Sequence, residues 1–391
     1  MIKILKLLIR VKFIFNSPSK CSLIVFDESY EDLNNFLPRS NYFLLQNRLE
    51  NIDKIYISFR ILKLIFRNYK DNLMTAYLVS IIDIVSPKII LTFIDNSFKF
   101  SDLAKLREKK CKFIAIQNGV RFQINESNYL ANKNHVNYNK KIYLPYFFCF
   151  GKYEKFLYKK NNIQVKNFIP VGSLRLANFI EYKKNNKKIL ESFFYDICLM
   201  SEVDSWQSEL KIPKLEEGFA KLTKYAIRFC REHNIKLVLC LKRNKAFADS
   251  FSREQEFFKK YLSIDEYEYL KKRFFFKKKD KFSSYKCMSK SKVVLGTVST
   301  MLRENLAIGG KILSCNLTPT NIYDFPIKGI CSIKNCSYND FEERLILILR
   351  MKNKEYHSKV SNGGDYNMFF RKNYSSITKI KDELYKIRSL Y

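Results

Sequence analysis

Histidine is nearly missing from this 391-residue chain: His135, His233 and His357 stand far apart, and no two of the ten cysteines are spaced as CxxC. The closest cysteine pair is Cys331 and Cys336, so no zinc array of recognisable spacing is present. Acid is also short, with 38 Asp+Glu against 71 Lys+Arg and a formal charge of +33. Among the cations arginine is the scarce one, 18 against 53 Lys. A surface that reads nucleic acid concentrates its cations and favours Arg for bidentate contacts. These lysines are instead spread along the whole chain beside abundant Asn, Ile, Phe and Tyr, the mixture that AT-rich codons produce. The charge therefore argues against a specific nucleic acid and for a polyanionic neighbour such as an anionic membrane surface, a phosphorylated lipid, a nucleotide or an acidic glycan.

Long apolar runs are missing too. The best candidate, Leu78 to Ile94, is broken by Asp83, Pro87 and Lys88 and falls short of the ~20 residues of a membrane helix. The first fifteen residues place Lys3, Lys6 and Arg10 on one helical face among Ile, Leu and Phe. Arg10 and Lys12 interrupt any signal-peptide core, and the segment fits either a basic interfacial helix or a first helix packed on its own domain. Cys198 and Cys240 sit in apolar strand-like runs, where buried free thiols are ordinary; a reducing, cytoplasmic compartment is expected.

What is present is a folded chain. Hydrophobic residues make up 47% and aromatics 15%, which excludes disorder as the main state, and the length suits two domains. Short runs apolar on both faces alternate with helix-length segments: Ser22–Phe26, Lys54–Ser58, Lys88–Ile94, Lys112–Ile116, Tyr146–Phe150 and Asn167–Val171, then Asp196–Met200, Ile235–Leu241, Val293–Leu295 and Lys311–Ser314. This predicts an α/β protein with two Rossmann-like, doubly wound parallel sheets facing a cleft. The polar stretch from Glu181 to Lys188 sets the expected division: a first domain over 1–180, a linker over 181–190, a second domain over 191–350, and a helical tail over 351–391 that returns to the first domain.

Polar residues cluster just after the strands, the edge where open parallel sheets bind ligands. The most informative segment is SKVVLGTVSTMLRENLAIGGKILSCN, Ser291 to Asn316. A strand enters the turn at Gly296, a helix begins near Ser299 or Thr300, and Gly309-Gly310 closes it. The start of that helix is a ready anion site, and Ser299 or Thr300 serves equally as a plain N-cap. Glu304 is not placed for a capping box, which would need Glu or Gln at 302 or 303; a binding carboxylate or a dipole-stabilised one fits. The stretch Lys271 to Lys281, KKRFFFKKKDK, fits membrane docking, stacking on a single strand, or a solvated basic face.

These residues resemble the nucleotide-binding half of GT-B glycosyltransferases, in particular bacterial surface-carbohydrate biosynthesis proteins, and more distantly the transferases of sialic-acid-like and Kdo sugars and the nonhydrolysing sugar 2-epimerases. TFIDN (Thr92–Asn96), AIQNGVR (Ala115–Arg121) and VGSLR (Val171–Arg175) resemble strand-end motifs of the same proteins, so the likeness runs from about Ile89 to Asn316. It implies a nucleotide-sugar-dependent transferase, peripheral on the inner face of the plasma membrane, building a surface polysaccharide or lipopolysaccharide on a lipid-linked or polysaccharide acceptor, without metal or other cofactor. It further implies that Ser299 and Thr300, with Gly296, hold the donor phosphate and that Glu304 binds ribose. Lys242 and Arg243 stand where such enzymes carry Lys before His-Pro, and Ser201 and Glu202 line the donor pocket opposite Ser299.

The catalytic base is expected in the first domain: Asp95 first, with Glu126 and Asp27 behind it, although Asp95 equally fits a strand-end cap. Gln117, Asn118, Gly119 and Arg121, with Gly172, Ser173 and Arg175, are expected to face the cleft. Related glycerol-phosphate polymerases carry Gln-His-Gly where Gln117-Asn118-Gly119 stands, so Asn118 counts against phosphotransfer. Rival readings are a sugar-nucleotide 2-epimerase, a basic nucleic-acid-binding module and a non-catalytic scaffold.

Overall fold

The runs apolar on both faces form strands, and helices cover them because parallel neighbours must be joined by crossovers. The computed structural model describes residues 10–27, 31–33, 35–48, 51–121, 141–160, 163–186, 194–203, 215–242, 248–275, 281–360 and 363–389. In order, the first half gives β1 (Lys12–Ile14), β2 (Leu23–Phe26), β3 (Phe43–Leu45), β4 (Lys54–Tyr56), α1 (Phe59–Asn68), α2 (Leu73–Val85), β5 (Ile89–Thr92), α3 (Phe98–Arg107), β6 (Lys112–Ile116), β7 (Ile142–Cys149), α4 (Tyr153–Lys160), β8 (Ile163–Pro170) and α5 (Leu174–Asn185). The second half gives β9 (Tyr195–Met200), α6 (Leu215–Glu232), β10 (Leu237–Cys240), α7 (Ala248–Tyr261), α8 (Ile264–Lys271), β11 (Phe274–Phe275), α9 (Ser283–Ser289), β12 (Ser291–Gly296), α10 (Thr300–Ala307), β13 (Lys311–Asn316), β14 (Ser332–Lys334), α11 (Tyr338–Arg350), α12 (Asn353–Ser358) and α13 (Ser376–Ser389).

Two six-stranded parallel sheets result, ordered β3-β2-β5-β6-β7-β8 and β11-β10-β9-β12-β13-β14. The second, renumbered from its own first strand, reads 3-2-1-4-5-6, the Rossmann order, with its switch point between β9 and β12. The expected α/β class with two Rossmann-like sheets facing a cleft, the GT-B arrangement, is what the chain adopts.

The first sheet is covered on both faces. Leu78, Ile81 and Phe113 pack on one side, and Val25, Leu91 and Ile114 on the other. That second face also receives Ile377, Ile380 and Ile387 of α13, so the C-terminal helix lies on the first half's sheet. Gly172 permits this return: its φ is +80°, and a Cβ there would stand 2.2 Å from the Phe369 carbonyl oxygen. Helix α5 faces the other way, with Leu176 and Phe179 in the second half's core and Phe179 stacked on Tyr285 at 4.9 Å.

Three expectations shift. Residues 1–9 lie outside the described residues, and Lys12–Ile14, expected within a helix, is a strand paired with β4 in a separate two-stranded sheet. Of KKRFFFKKKDK, Phe274 and Phe275 form the edge strand β11 with Phe274 in the core; 276–280 lie outside the described residues. Residues 181–185 of the expected linker continue α5, and 187–193 also lie outside.

Candidate functional site

The second sheet's switch point carries the residues that follow β9 and β12. Glu202, just past β9, turns its carboxylate onto the loop after β12. It accepts hydrogen bonds from three consecutive backbone N–H groups, Thr297 at 2.7 Å, Val298 at 3.0 Å and Ser299 at 3.0 Å. Gly296 makes room, since a Cβ there would lie 2.7 Å from the same carboxylate oxygen. The anion seat at the start of α10 exists, but the chain's own carboxylate fills it. Glu202, expected as a pocket wall opposite Ser299, is bonded to Ser299 itself. Burial raises its pKa against the pull of those N–H bonds and of the Lys242 charge.

Further polar groups surround this seat. The hydroxyls of Ser201 and Thr297 are buried, and neither has a hydrogen-bond partner among the described residues, an uncommon state for buried polar atoms. Lys242, two residues past β10, gives its backbone N–H to Glu254 at 2.9 Å and keeps its side chain partly exposed. Arg243 lies outside the described residues. Ser299 is the N-cap of α10, its Oγ accepting from the Met301 N–H at 3.3 Å.

Past its cap, α10 faces the first half. Thr300 Oγ1 accepts the Val120 N–H at 3.1 Å. Arg303 is almost fully buried and makes a two-pronged ion pair with buried Glu154, while its Nε donates to Asn367 Oδ1 at 3.0 Å. Glu304 accepts from the hydroxyls of Ser173, across the cleft, and Tyr285, the latter at 3.0 Å. Burial pushes its pKa up to about 7 despite those two donors. Glu304, expected on a ribose, is thus closed between the two halves and not open to a pocket.

Asp95, the expected base, is buried, and both of its oxygens are committed. Arg121 holds it with Nε at 3.1 Å and with Nη2, and the Tyr158 hydroxyl donates to it as well. In this structure the carboxylate expected as the base is thus held by Arg121 and Tyr158 and in turn orients Arg121. Asp27 is likewise bonded to Arg48 at 2.9 Å, and Glu126 lies outside the described residues.

Gln117 is structural: its Oε1 accepts from the Phe150 N–H at 2.8 Å, and its Nε2 donates to the Gly119 carbonyl and to Glu154. Asn118, Gly119 and Arg121 are partly exposed. A Cβ on Gly119 would lie 3.9 Å from both Arg121 Nη1 and Thr300 Oγ1, so this loop meets α10. Ser173 caps α5 and reaches Glu304. Arg175 pairs with Asp32 at 2.8 Å, and its charge reaches Glu304. Gly172, expected to face the cleft, instead packs the C-terminal segment.

The cleft is walled by Val120, Arg121 and Tyr153 from the first half and Val298, Arg303 and Asp324 from the second. Four of the residues that shape it, Glu154, Arg303, Asp324 and Asn367, were missed from sequence. An Arg on a helix ordinarily reads as solvated surface, and its partner Glu154 is remote in the chain. Lys311, in the same Gly-Gly-Lys motif, is accounted for by structure: its Nζ donates to the carbonyls of Ile348 and Met351 at the end of α11. Among the described residues one trio, Glu232, His233 and Glu342, has metal-ligand spacing. It is largely exposed, and its ligand atoms already engage Arg228, Tyr338 and one another.

No curated protein matches the chain. Similar solved structures include the wall teichoic acid polymerase TagF with CDPG, 11% identical with a TM-score of 0.45 over 95% of this chain and 90% of that one. They also include UDP-GlcNAc 2-epimerase from Neisseria meningitidis bound to UDP-GlcNAc, 14% identical with a TM-score of 0.46 over 93% and 99%. The epimerase of Methanocaldococcus jannaschii with UDP-GlcNAc and UDP is 11% identical, with a TM-score of 0.48 over 94% and 100%. A family model described as "putative O-antigen biosynthesis protein" matches residues 114–325. That span is more than half of the chain and holds the first half's β6 to β8 strands, the α10 loop and the residues where the two halves meet. The chain belongs to this O-antigen biosynthesis protein family.

Proposed function

We propose that the chain is a glycosyltransferase that moves a sugar from a nucleotide-activated donor onto a growing surface polysaccharide or lipopolysaccharide. The observation that carries this reading is the crevice beside β9 and β12. There, three convergent N–H groups at the start of α10 hold the Glu202 carboxylate, next to two buried hydroxyls with no hydrogen-bond partner among the described residues. Membership of an O-antigen biosynthesis family supports the substrate class.

The chemistry asks for a stabilised leaving phosphate and for a group that takes the acceptor's proton. The N–H groups of residues 297–299 and the positive end of α10 meet the first need, with Lys242 adding a cation and no metal required. Glu202 is a placeholder in this scheme: the donor phosphate takes its seat, and the hydroxyls of Ser201 and Thr297 gain partners from the donor. Ser299 and Thr300 stay beside the phosphate as cap and as link to the Val120 loop. Glu304 reaches a ribose only on releasing Ser173.

On the cleft wall, the Asp324 side chain is 40% exposed, and although Asn316 Nδ2 donates to its Oδ1, its Oδ2 stands 3.5 Å from the exposed Lys334, so it is assigned the proton, while Asp95 fixes Arg121 toward the cleft. Titrating UDP, GDP and CMP while following thermal unfolding tests the reading. At least one should raise the melting temperature, because a ligand that binds only the folded state stabilises it. No shift with any of them overturns it.

A further inference from the structure

Helix α1 has three faces. At about 100° of rotation per residue, Ile61, Leu64, Ile65 and Asn68 fall on one side. Ile61 is buried there, and Asn68 bonds Ser80 and Arg107. Phe59, Leu62 and Phe66 fall together on a second stripe about 60° wide. Phe59 is 85% exposed and Phe66 82%, against 44% for Leu62. Arg60, Lys63 and Arg67 form a third stripe directly beside it, all exposed and with no ion-pair partner among the described residues.

The patch continues past the helix. Tyr69 and Leu73 follow its C-terminal end, and Phe15, 74% exposed, follows β1. The Ser17 hydroxyl lies 2.8 Å from that of Ser58, the cap of α1, which ties the Phe15 segment to the start of the helix. Water is a poor neighbour for so many clustered large apolar side chains. Packing among the described residues explains the first stripe and not the second.

We propose that the α1 face made by Phe59, Leu62, Phe66 and Phe15, flanked by Arg60, Lys63 and Arg67, docks on an anionic phospholipid surface with the helix lying in the plane of the interface. The pairing of apolar and basic stripes decides for this partner. Aromatic side chains enter the boundary between headgroups and acyl chains, while adjacent guanidinium and ammonium groups sit against lipid phosphates. A second copy of the chain would set these cations against each other, which charge complementarity disfavours.

The test is co-sedimentation of the full chain with vesicles of phosphatidylglycerol and phosphatidylcholine in equal parts, against phosphatidylcholine alone. Binding to the anionic vesicles, reduced by added salt and weakened about tenfold or more in Phe59→Ser/Phe66→Ser, is expected. Arg60→Gln/Lys63→Gln/Arg67→Gln should lose the preference for anionic lipid. These are surface positions, so unchanged thermal unfolding of both variants, and unchanged nucleotide shifts, keep this result separate from the fate of the glycosyltransferase reading. Equal binding by wild type and both variants would place membrane contact elsewhere and overturn the proposal. So would an absence of vesicle binding, or a wild-type dimer that the Phe substitutions dissociate.

Discussion

Replacing Glu304 by Gln should stabilise the protein in alkaline solution and not in acid. The carboxyl is 2% exposed, and its ordinary pKa of 4.5 is pushed up to about 7 by burial. That value is already net of the Ser173 and Tyr285 hydroxyls and the Arg175 charge, all of which pull downward; desolvation wins. Because the folded pKa lies above the unfolded one, the folded state holds the extra proton between roughly pH 4.5 and 7. Stability from this group is therefore fully present below about 4.5 and lost as pH rises through about 7. The loss is the pKa difference times ~1.4 kcal/mol, or about 3 kcal/mol. Both hydroxyls donate to the same oxygen, Oε1, which a Gln retains, while the buried charge is gone. Urea unfolding at about pH 5 and about pH 8 should thus show the variant gaining about 2.5 kcal/mol on the wild type between the two conditions, since part of the loss already falls below pH 5. A difference that does not move with pH would mean that Glu304 is not buried between Ser173 and Tyr285 as described.

Other consequences can be measured directly. Glu202→Gln weakens the chain's own anion in the α10 seat, and since a charge-assisted bond exceeds a neutral one by about 1 kcal/mol, nucleotide affinity by calorimetry should rise about fivefold or more. Glu154→Gln leaves Arg303 buried with a neutral partner and should cost about 3–5 kcal/mol by chemical unfolding where the α10 joint stays closed, and less where opening of that joint relieves it. Gly172→Ala adds a Cβ 2.2 Å from the Phe369 oxygen at φ +80°; it should release the C-terminal segment, seen as faster proteolysis near α13 and a lower melting temperature. Asp324→Asn should lower kcat for sugar transfer while leaving the nucleotide-dependent melting shift intact.

The strands of both sheets were legible because burial on both faces leaves unbroken apolar runs, as at Ile89–Thr92 and Leu237–Cys240. The α10 turn was legible because Gly, Ser and Thr before a helix have local reasons to be there. Short edge strands such as β3 and β14 are three residues long and only partly buried, so β14 carries no apolar run and that of β3 is too brief to mark a strand. Side-chain commitments were harder to see. Asp95 reads as a free strand-end acid until Arg121 and Tyr158 close on it, and Glu202 reads as a pocket wall until the missing Cβ of Gly296 lets it fold inward. The partners that settle these roles are distant in sequence, and no local pattern reports them.

The same contacts suggest how the cleft is built to move. Near the second domain's start the halves are joined by apolar packing, Phe150, Leu176 and Phe179 lying in the second half's core. Separating those would expose large hydrophobic surface, each side chain costing about 1.5–3 kcal/mol. Along α10 the joint is polar: Thr300 to Val120, Glu304 to Ser173, and Arg303 to Glu154. A buried ion pair gains little over its hydrated halves, because desolvation offsets attraction, so water can replace these bonds at small net cost. These contacts predict the apolar joint at α5 as the pivot and the α10 joint as the edge that parts. Glu154→Gln discriminates here: it penalises only the closed form, where Arg303 stays buried, and so should enlarge the radius of gyration by small-angle scattering before it unfolds the chain. A radius unchanged at equal loss of stability would place the pivot at α10 instead.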